Sequence, residues 1–271
     1  MSSHKSIAKI TTEQLRKMKD SGEKIAALTA YDFIMASLLD DCGIDVILVG
    51  DSASTVFAGN DTTLPMTMDQ MVYHTQVVSK AVKRALVVAD MPFMSYQVSL
   101  EDAIRNAGRF MKEGYAEAIK MEGGSEFTPV VKRIVEIGIP VMGHLGLTPQ
   151  SIHKFGTYRT RGVSAGEAQK IVKDAKALES AGAFAIVLEK IPSALARKVS
   201  NSLQIPTIGI GAGPHCDGQI LVSHDMLGLY EKFQPRFVRR YATMAQSMRE
   251  AFSNYTVDVK KKRFPNSKES Y

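Results

Sequence analysis

Short apolar runs rich in Val, Ile and Ala recur along the chain, and their repetition limits the folds it can adopt. They lie at Ile25–Thr29, Val46–Gly50, Leu86–Ala89, Ala118–Met121, Pro140–Gly143, Phe184–Leu188 and Thr207–Ile210, with a weaker one at Gln219–Val222. Near-continuous apolar residues, rather than alternate ones, mark strands buried on both faces, as in a parallel sheet. Amphipathic stretches at Met68–Val82, Leu100–Lys112, Pro129–Ile137, Gly166–Ser180 and Pro192–Val199 separate them and predict helices. Ser99 before Leu-Glu-Asp reads as an N-cap, and Ser164 before Ala-Gly-Glu has capping-box spacing. Gly114 and Gly182 read as residues that end helices. About eight strand–helix units in 271 residues predict a single (β/α)8 TIM barrel, because an open doubly wound sheet has fewer strands. Additional helices are expected at Thr12–Lys19 and Pro235–Phe252. With no Pro-, Gly- or Ser-rich linker, residues 1–271 read as one domain: a barrel over about 24–230, then a C-terminal helix and tail over about 235–271.

Five successive strands finish in an ionisable residue: Asp51, Asp90, Glu122, His144 and Glu189. In a (β/α)8 barrel the C-terminal strand ends converge on one mouth, where active sites are built. Four carboxylates gathered there repel one another, and a bound cation relieves that repulsion. The donors are hard oxygens, which suit Mg²⁺ or Mn²⁺ rather than zinc. Lys120 lies two residues before Glu122, so both project to one side of their strand, and a buried lysine there suits a substrate carboxylate. His74 reads as a helix residue facing a neighbour. The glycines of Ile208-Gly-Ile-Gly-Ala-Gly213 lack dinucleotide-binding spacing and suit close backbone approach at the rim.

The net charge of +6 is spread along the helices, apart from the run Lys260–Arg263, which reads as a solvated tail. No aromatic interleaving favours nucleic acid, so no nucleic-acid partner is expected. The start MSSHKSIAKI has no apolar core, and no segment reaches membrane-spanning length. Two cysteines, Cys42 and Cys216, form no disulfide framework. A cytoplasmic protein without a membrane partner is expected.

The segments Leu28-Thr-Ala-Tyr-Asp32, Val49-Gly-Asp-Ser52, Thr62-Thr-Leu-Pro65 and Met71-Val-Tyr-His74 carry a family resemblance. So do Asp90-Met-Pro-Phe-Met-Ser-Tyr96, Lys120-Met-Glu-Gly-Gly124 and Gly143-His-Leu-Gly-Leu-Thr-Pro-Gln150. The last such segments are Val187-Leu-Glu189, Ile205–Gly213 and Asp217-Gly-Gln219. In order and spacing they resemble the ketopantoate (3-methyl-2-oxobutanoate) hydroxymethyltransferases, over about Lys24 to Tyr241. The resemblance implies one Mg²⁺ per subunit at Asp51, Asp90 and Glu122, the latter two often acting through water. It implies substrate binding by Asp51, Ser52, Asp90, Lys120 and His144, and Glu189 as general base. It further implies transfer of a hydroxymethyl group from 5,10-methylenetetrahydrofolate to 3-methyl-2-oxobutanoate through a metal-stabilised enolate. The product would be 2-dehydropantoate, on the way to pantothenate, and the assembly a homodecamer. The chain departs from the family pattern at Ala53-Ser-Thr55 and at Phe155-Gly-Thr-Tyr-Arg-Thr-Arg-Gly162, both in loops near the mouth. Without the resemblance, the residues also suit a Mg²⁺-dependent barrel lyase or phosphonomutase acting on oxo acids. Such lyases usually carry a nucleophilic cysteine on a flexible loop, and neither cysteine here follows a suitable strand. A non-enzymatic basic scaffold is the remaining alternative.

Overall fold

The computed structural model describes residues 8–232 and 234–271. Residues 1–7, which hold most of the start read above as lacking an apolar leader, lie outside the described residues. The first elements are α1 (Thr12–Ser21), β1 (Ile25–Thr29), α2 (Phe33–Asp41), β2 (Val46–Val49), α3 (Ala53–Val56), α4 (Met68–Ala81), β3 (Leu86–Asp90) and α5 (Leu100–Lys112). Then come β4 (Ala118–Glu122), α6 (Thr128–Glu136), β5 (Val141–Gly146), α7 (Ile152–Phe155), α8 (Ala165–Ser180), β6 (Ala185–Glu189), α9 (Ser193–Ser202), β7 (Thr207–Ile210) and β8 (Gly218–Leu221). All neighbouring strands pair in parallel, and β8 pairs with β1, so the sheet closes into a TIM-type (β/α)8 barrel, as the sequence predicts.

Two packed layers follow from the two faces of each strand. Val46 and Leu48 of β2, Leu86 and Val88 of β3, Ala118 of β4 and Val187 of β6 fill the barrel interior. The intervening Ile47, Val87, Ile119, Met121, Ile186 and Leu188 pack under the helices. Each fully buried aliphatic side chain contributes roughly 1.5–3 kcal/mol relative to exposure. Leu15 and Met18 of α1 join the interior cluster beside Ile25, Val46 and Leu86, the first residues of their strands. The helix therefore plugs the end where strands begin and leaves the opposite end for the site.

Helix starts follow the expected chemistry. Ser99 caps α5, accepting from Asp102 N, and Ser164 caps α8, accepting from Glu167 N. The reciprocal half of the capping box is absent at α8, because the Glu167 carboxylate accepts from Gly162 N and pairs with Arg161. Gly182 adopts the left-handed conformation after α8, at φ 98°. Gly114 does not: the left-handed residue after α5 is Tyr115, at φ 57°. Gly114 serves close packing instead, since a Cβ there would stand 2.8 Å from Phe110 O and 3.0 Å from Thr75 Cγ2.

The division between compact units falls after Leu221. Residues from Val222 onward hold α10 (Ser223–Met226) and α11 (Met244–Lys260). The helix expected at Pro235–Phe252 thus lies further along, because 234–243 form turns and loop. Within this unit Lys260 sits in the last turn of α11 and the basic run is solvent-facing, with Arg263 paired to Asp258 at 3.1 Å. Cys42 and Cys216 are free thiols. No helix among the described residues is long and apolar enough to cross a membrane.

Candidate active site

Strand alternation carries the site. Because every second side chain points inward, Asp90 continues the inward row of Leu86 and Val88, and Lys120 and Glu122 that of Ala118. His144 follows Met142, and Glu189 follows Ala185 and Val187. Register sets neighbours across strands: Asp90 is level with Lys120, and Glu122 with His144. Strand β5 runs on through His144 to Gly146, beyond the predicted end at Gly143, because its backbone stays paired with β6 as far as Glu189.

Lys120 Nζ donates to Asp90 Oδ1 at 2.8 Å with both side chains buried. Asp51 N donates to Asp90 Oδ2 at 3.2 Å. His144 Nδ1 stands 3.2 Å from Lys120 Nζ and 3.3 Å from Glu122 Oε1, and His144 Nε2 stands 3.2 Å from Glu189 Oε2. The two carboxylate contacts are at ion-pair distance but off hydrogen-bond alignment, leaving Glu122 Oε1 and His144 Nε2 without hydrogen-bond partners. Ser52 Oγ lies 2.8 Å from the hydroxyl of fully buried Tyr31. Six of the sequence-derived residues, Asp51, Asp90, Lys120, Glu122, His144 and Glu189, thus form one connected group at the mouth, with Ser52 beside Asp51 in sequence.

Gln150 was quoted above within a motif but given no role, and it joins this group together. Its Nε2 donates to Asp51 Oδ2 at 2.9 Å and to Met91 O at 3.0 Å, and its backbone N donates to Glu122 Oε2 at 3.0 Å. Its Oε1 accepts from the Tyr96 hydroxyl at 3.2 Å. A glutamine after Thr-Pro carries no titratable signal, so charge patterning alone does not reveal it. His74 is a structural residue: its Nδ1 meets Tyr31 O at 2.7 Å, and its ring packs edge-on to Phe57.

Burial, then the charge of Glu122, pushes the Asp51 carboxyl up to about 6 against the help of Lys120. Burial likewise pushes Asp90 up to about 6, with Lys120 opposing. Burial works against the Lys120 charge, but Asp90, Glu122 and Asp51 outweigh it and hold that ammonium above its usual range. Burial and Lys120 also disfavour the His144 charge, yet Glu122 and Glu189 win and push it up to about 9.

Four carboxylates thus face two cations, leaving a negative excess that a divalent cation would neutralise. Oxygen donors and the unpartnered Glu122 Oε1 fit Mg²⁺. Among the described residues, no three His, Cys, Asp or Glu side chains stand close enough to enclose one ion directly. The fit is therefore to an ion that keeps water in its shell. Beside Glu122 opens a cavity of about 780 Å³ walled by α7, α8 and the loop at 155–161.

A (β/α)8 barrel whose mouth gathers buried charges of both signs beside a large cavity is the architecture of a barrel enzyme. Residues 9–267 match the ketopantoate hydroxymethyltransferase family, and the chain belongs to that family and is a transferase. The match runs past Tyr241 to residue 267, so most of the tail is family sequence as well. The 3-methyl-2-oxobutanoate hydroxymethyltransferase of Chlorobaculum tepidum is 59% identical over 97% of this chain and 96% of its own length. That of Cytophaga hutchinsonii is 57% identical over 100% of both. Among solved structures, a phosphonopyruvate hydrolase in complex with oxalate and Mg²⁺ superposes with a TM-score of 0.63 at 16% identity, covering 95% of this chain and 92% of that one. A 2,3-dimethylmalate lyase gives 0.63 at 18% identity, covering 91% and 87%. At these identities the structural likeness concerns the fold alone.

Proposed function

We propose that this chain transfers a hydroxymethyl group from 5,10-methylenetetrahydrofolate to 3-methyl-2-oxobutanoate, giving 2-dehydropantoate in the first committed step of pantothenate biosynthesis. The observation that carries the reading is the juxtaposition of Glu189 with the buried His144 imidazole. Its carboxylate is the most open of the mouth's acids, at 16% side-chain exposure, and lies 3.2 Å from His144 Nε2.

Lys120 and the Ser52 hydroxyl are suited to hold the carboxylate and oxo groups of the oxo acid. Glu189 then removes the proton on C3, and the electron pair spreads toward the ketone oxygen. Protonated His144 and Lys120 offset the negative charge that develops. C3 bonds to the methylene carbon, whose two C–N bonds give way to N–H bonds. The two protons come from C3 and from one water, and the water's oxygen remains on the transferred carbon as the hydroxyl. Asp51, Asp90 and Glu122 would hold Mg²⁺, which when bound supplies Lewis-acid stabilisation of charge on the ketone oxygen. On the family resemblance, the reading extends to one ion per subunit, a homodecamer and a cytoplasmic location.

The test is product analysis. The purified chain with both substrates and Mg²⁺ should form 2-dehydropantoate and tetrahydrofolate in equal amounts. Absence of 2-dehydropantoate refutes the reading.

A further inference from the structure

The cavity beside Glu122 is too large for the oxo acid alone. Cavities of about 300–1,000 Å³ hold ligands of cofactor size, and a five-carbon oxo acid is far smaller. The wall has two kinds of surface. One is aromatic: Arg161 lies 4.1 Å over the Phe155 ring, and Phe127 packs edge-on to Tyr96 at 5.3 Å. The other is charged with both signs, since Glu126, Glu167 and Asp174 line it beside the cations, and those cations differ in availability. Arg161 is paired with Glu167, and Lys170 with Asp174 and Glu126. Lys154 lines the same cavity, and among the described residues it makes no ion pair. An unpaired cation at the edge of an aromatic wall suits a ligand with a flat ring and an anionic tail.

The wall also draws on this chain's own departure from the family pattern. Phe155 and Arg161 both belong to the segment 155–162. That segment is tied to the residue after Glu189, since Arg161 N donates to Lys190 O at 2.9 Å and Lys190 Nζ donates to Tyr158 O. The platform is therefore fixed to the strand that carries the proposed base, and the cavity opens at Glu122 on the same mouth.

We infer that this cavity is the seat of the reduced pterin co-substrate, with the ring against the Phe155–Arg161 platform and the glutamate tail on Lys154. The inference rests on the folate-dependent reading proposed above and adds where that molecule binds and what holds each end.

The test uses calorimetric binding of two unreactive probes to the full chain, with Mg²⁺ and saturating 3-methyl-2-oxobutanoate present. One probe is tetrahydrofolate, and the other is 6-methyltetrahydropterin, which has the ring but no glutamate tail. K154E should weaken tetrahydrofolate binding at least tenfold and leave the tailless pterin within twofold of wild type. F155A should weaken both by about tenfold. A misfolded variant would lose both ligands and its thermal transition, whereas the K154E pattern separates them. Wild-type affinity for tetrahydrofolate in both variants overturns the location, as does equal loss of both probes in K154E. Failure of the folate-dependent reading looks different: the wild type would bind neither probe and would form no 2-dehydropantoate from methylenetetrahydrofolate and the oxo acid.

Discussion

Replacing Lys120 by Met should test whether the mouth is organised by buried charge. Lys120 and Asp90 are 3% and 1% exposed and are joined at 2.8 Å. Methionine keeps the length of the side chain but removes the ammonium, leaving Asp90 with the Asp51 amide as its remaining hydrogen-bond donor. Removing one partner of such a pair costs about 3–5 kcal/mol. The pH dependence identifies the cause. The Lys120 pKa is raised by folding, so its stabilisation is fully present below the unfolded lysine value and is constant from pH 5 to 8. Asp90 behaves in the opposite sense. Folding already raises it to about 6 through burial, and loss of Lys120, which opposes that rise, raises it further. A raised carboxyl destabilises the fold as pH climbs from the unfolded value through the folded one. The deficit of K120M should therefore be smallest near pH 5 and grow toward pH 8, by about 1.4 kcal/mol for each further unit of rise. Urea unfolding at both pH values, at fixed protein concentration and with divalent cations chelated, measures it. A loss under about 1 kcal/mol that does not change with pH refutes the reasoning.

Two further outcomes follow from the same geometry. Because Asp51 and Asp90 titrate at about 6, protons should compete with Mg²⁺. Calorimetric Mg²⁺ affinity should fall at least about tenfold from pH 7.5 to pH 5, with protons released on binding near pH 6; unperturbed carboxylates near 3.9 would give less than about a twofold change. Gly146 has φ 95°, and a Cβ there would meet the Glu189 carbonyl and stand 2.8 Å from Ile191 Cγ2. Gly146→Ala should therefore lower kcat by about tenfold or more through displacement of Glu189, with the Tm falling by a few degrees.

Much of this was legible in the sequence because the relevant signals are local. The run Ile25–Thr29 becomes a strand with those bounds, and the two-residue spacing of Lys120 and Glu122 places both inward. The acids at strand ends meet because a closed parallel barrel has one mouth. What escaped depends on partners distant in sequence. The length of β5 depends on its pairing with β6, which continues to Gly146 opposite Glu189. The work of Gln150 depends on Asp51, 99 residues away. The Glu167 carboxylate leaves its expected place in a capping box because Arg161 and Gly162 N compete for it. The last long helix begins at Met244 rather than Pro235, since helical periodicity does not show where a solvent-exposed helix starts.

The central claim is that Glu189 moves the C3 proton of an oxo acid held at this mouth. Solvent deuterium incorporation at C3 of 3-methyl-2-oxobutanoate, followed by proton NMR with Mg²⁺ present and folate absent, tests it directly. The wild type should exchange that proton, and Glu189→Gln should exchange it about 10²–10⁴-fold more slowly. Exchange at the wild-type rate in Glu189→Gln, or none in the wild type, would contradict the account.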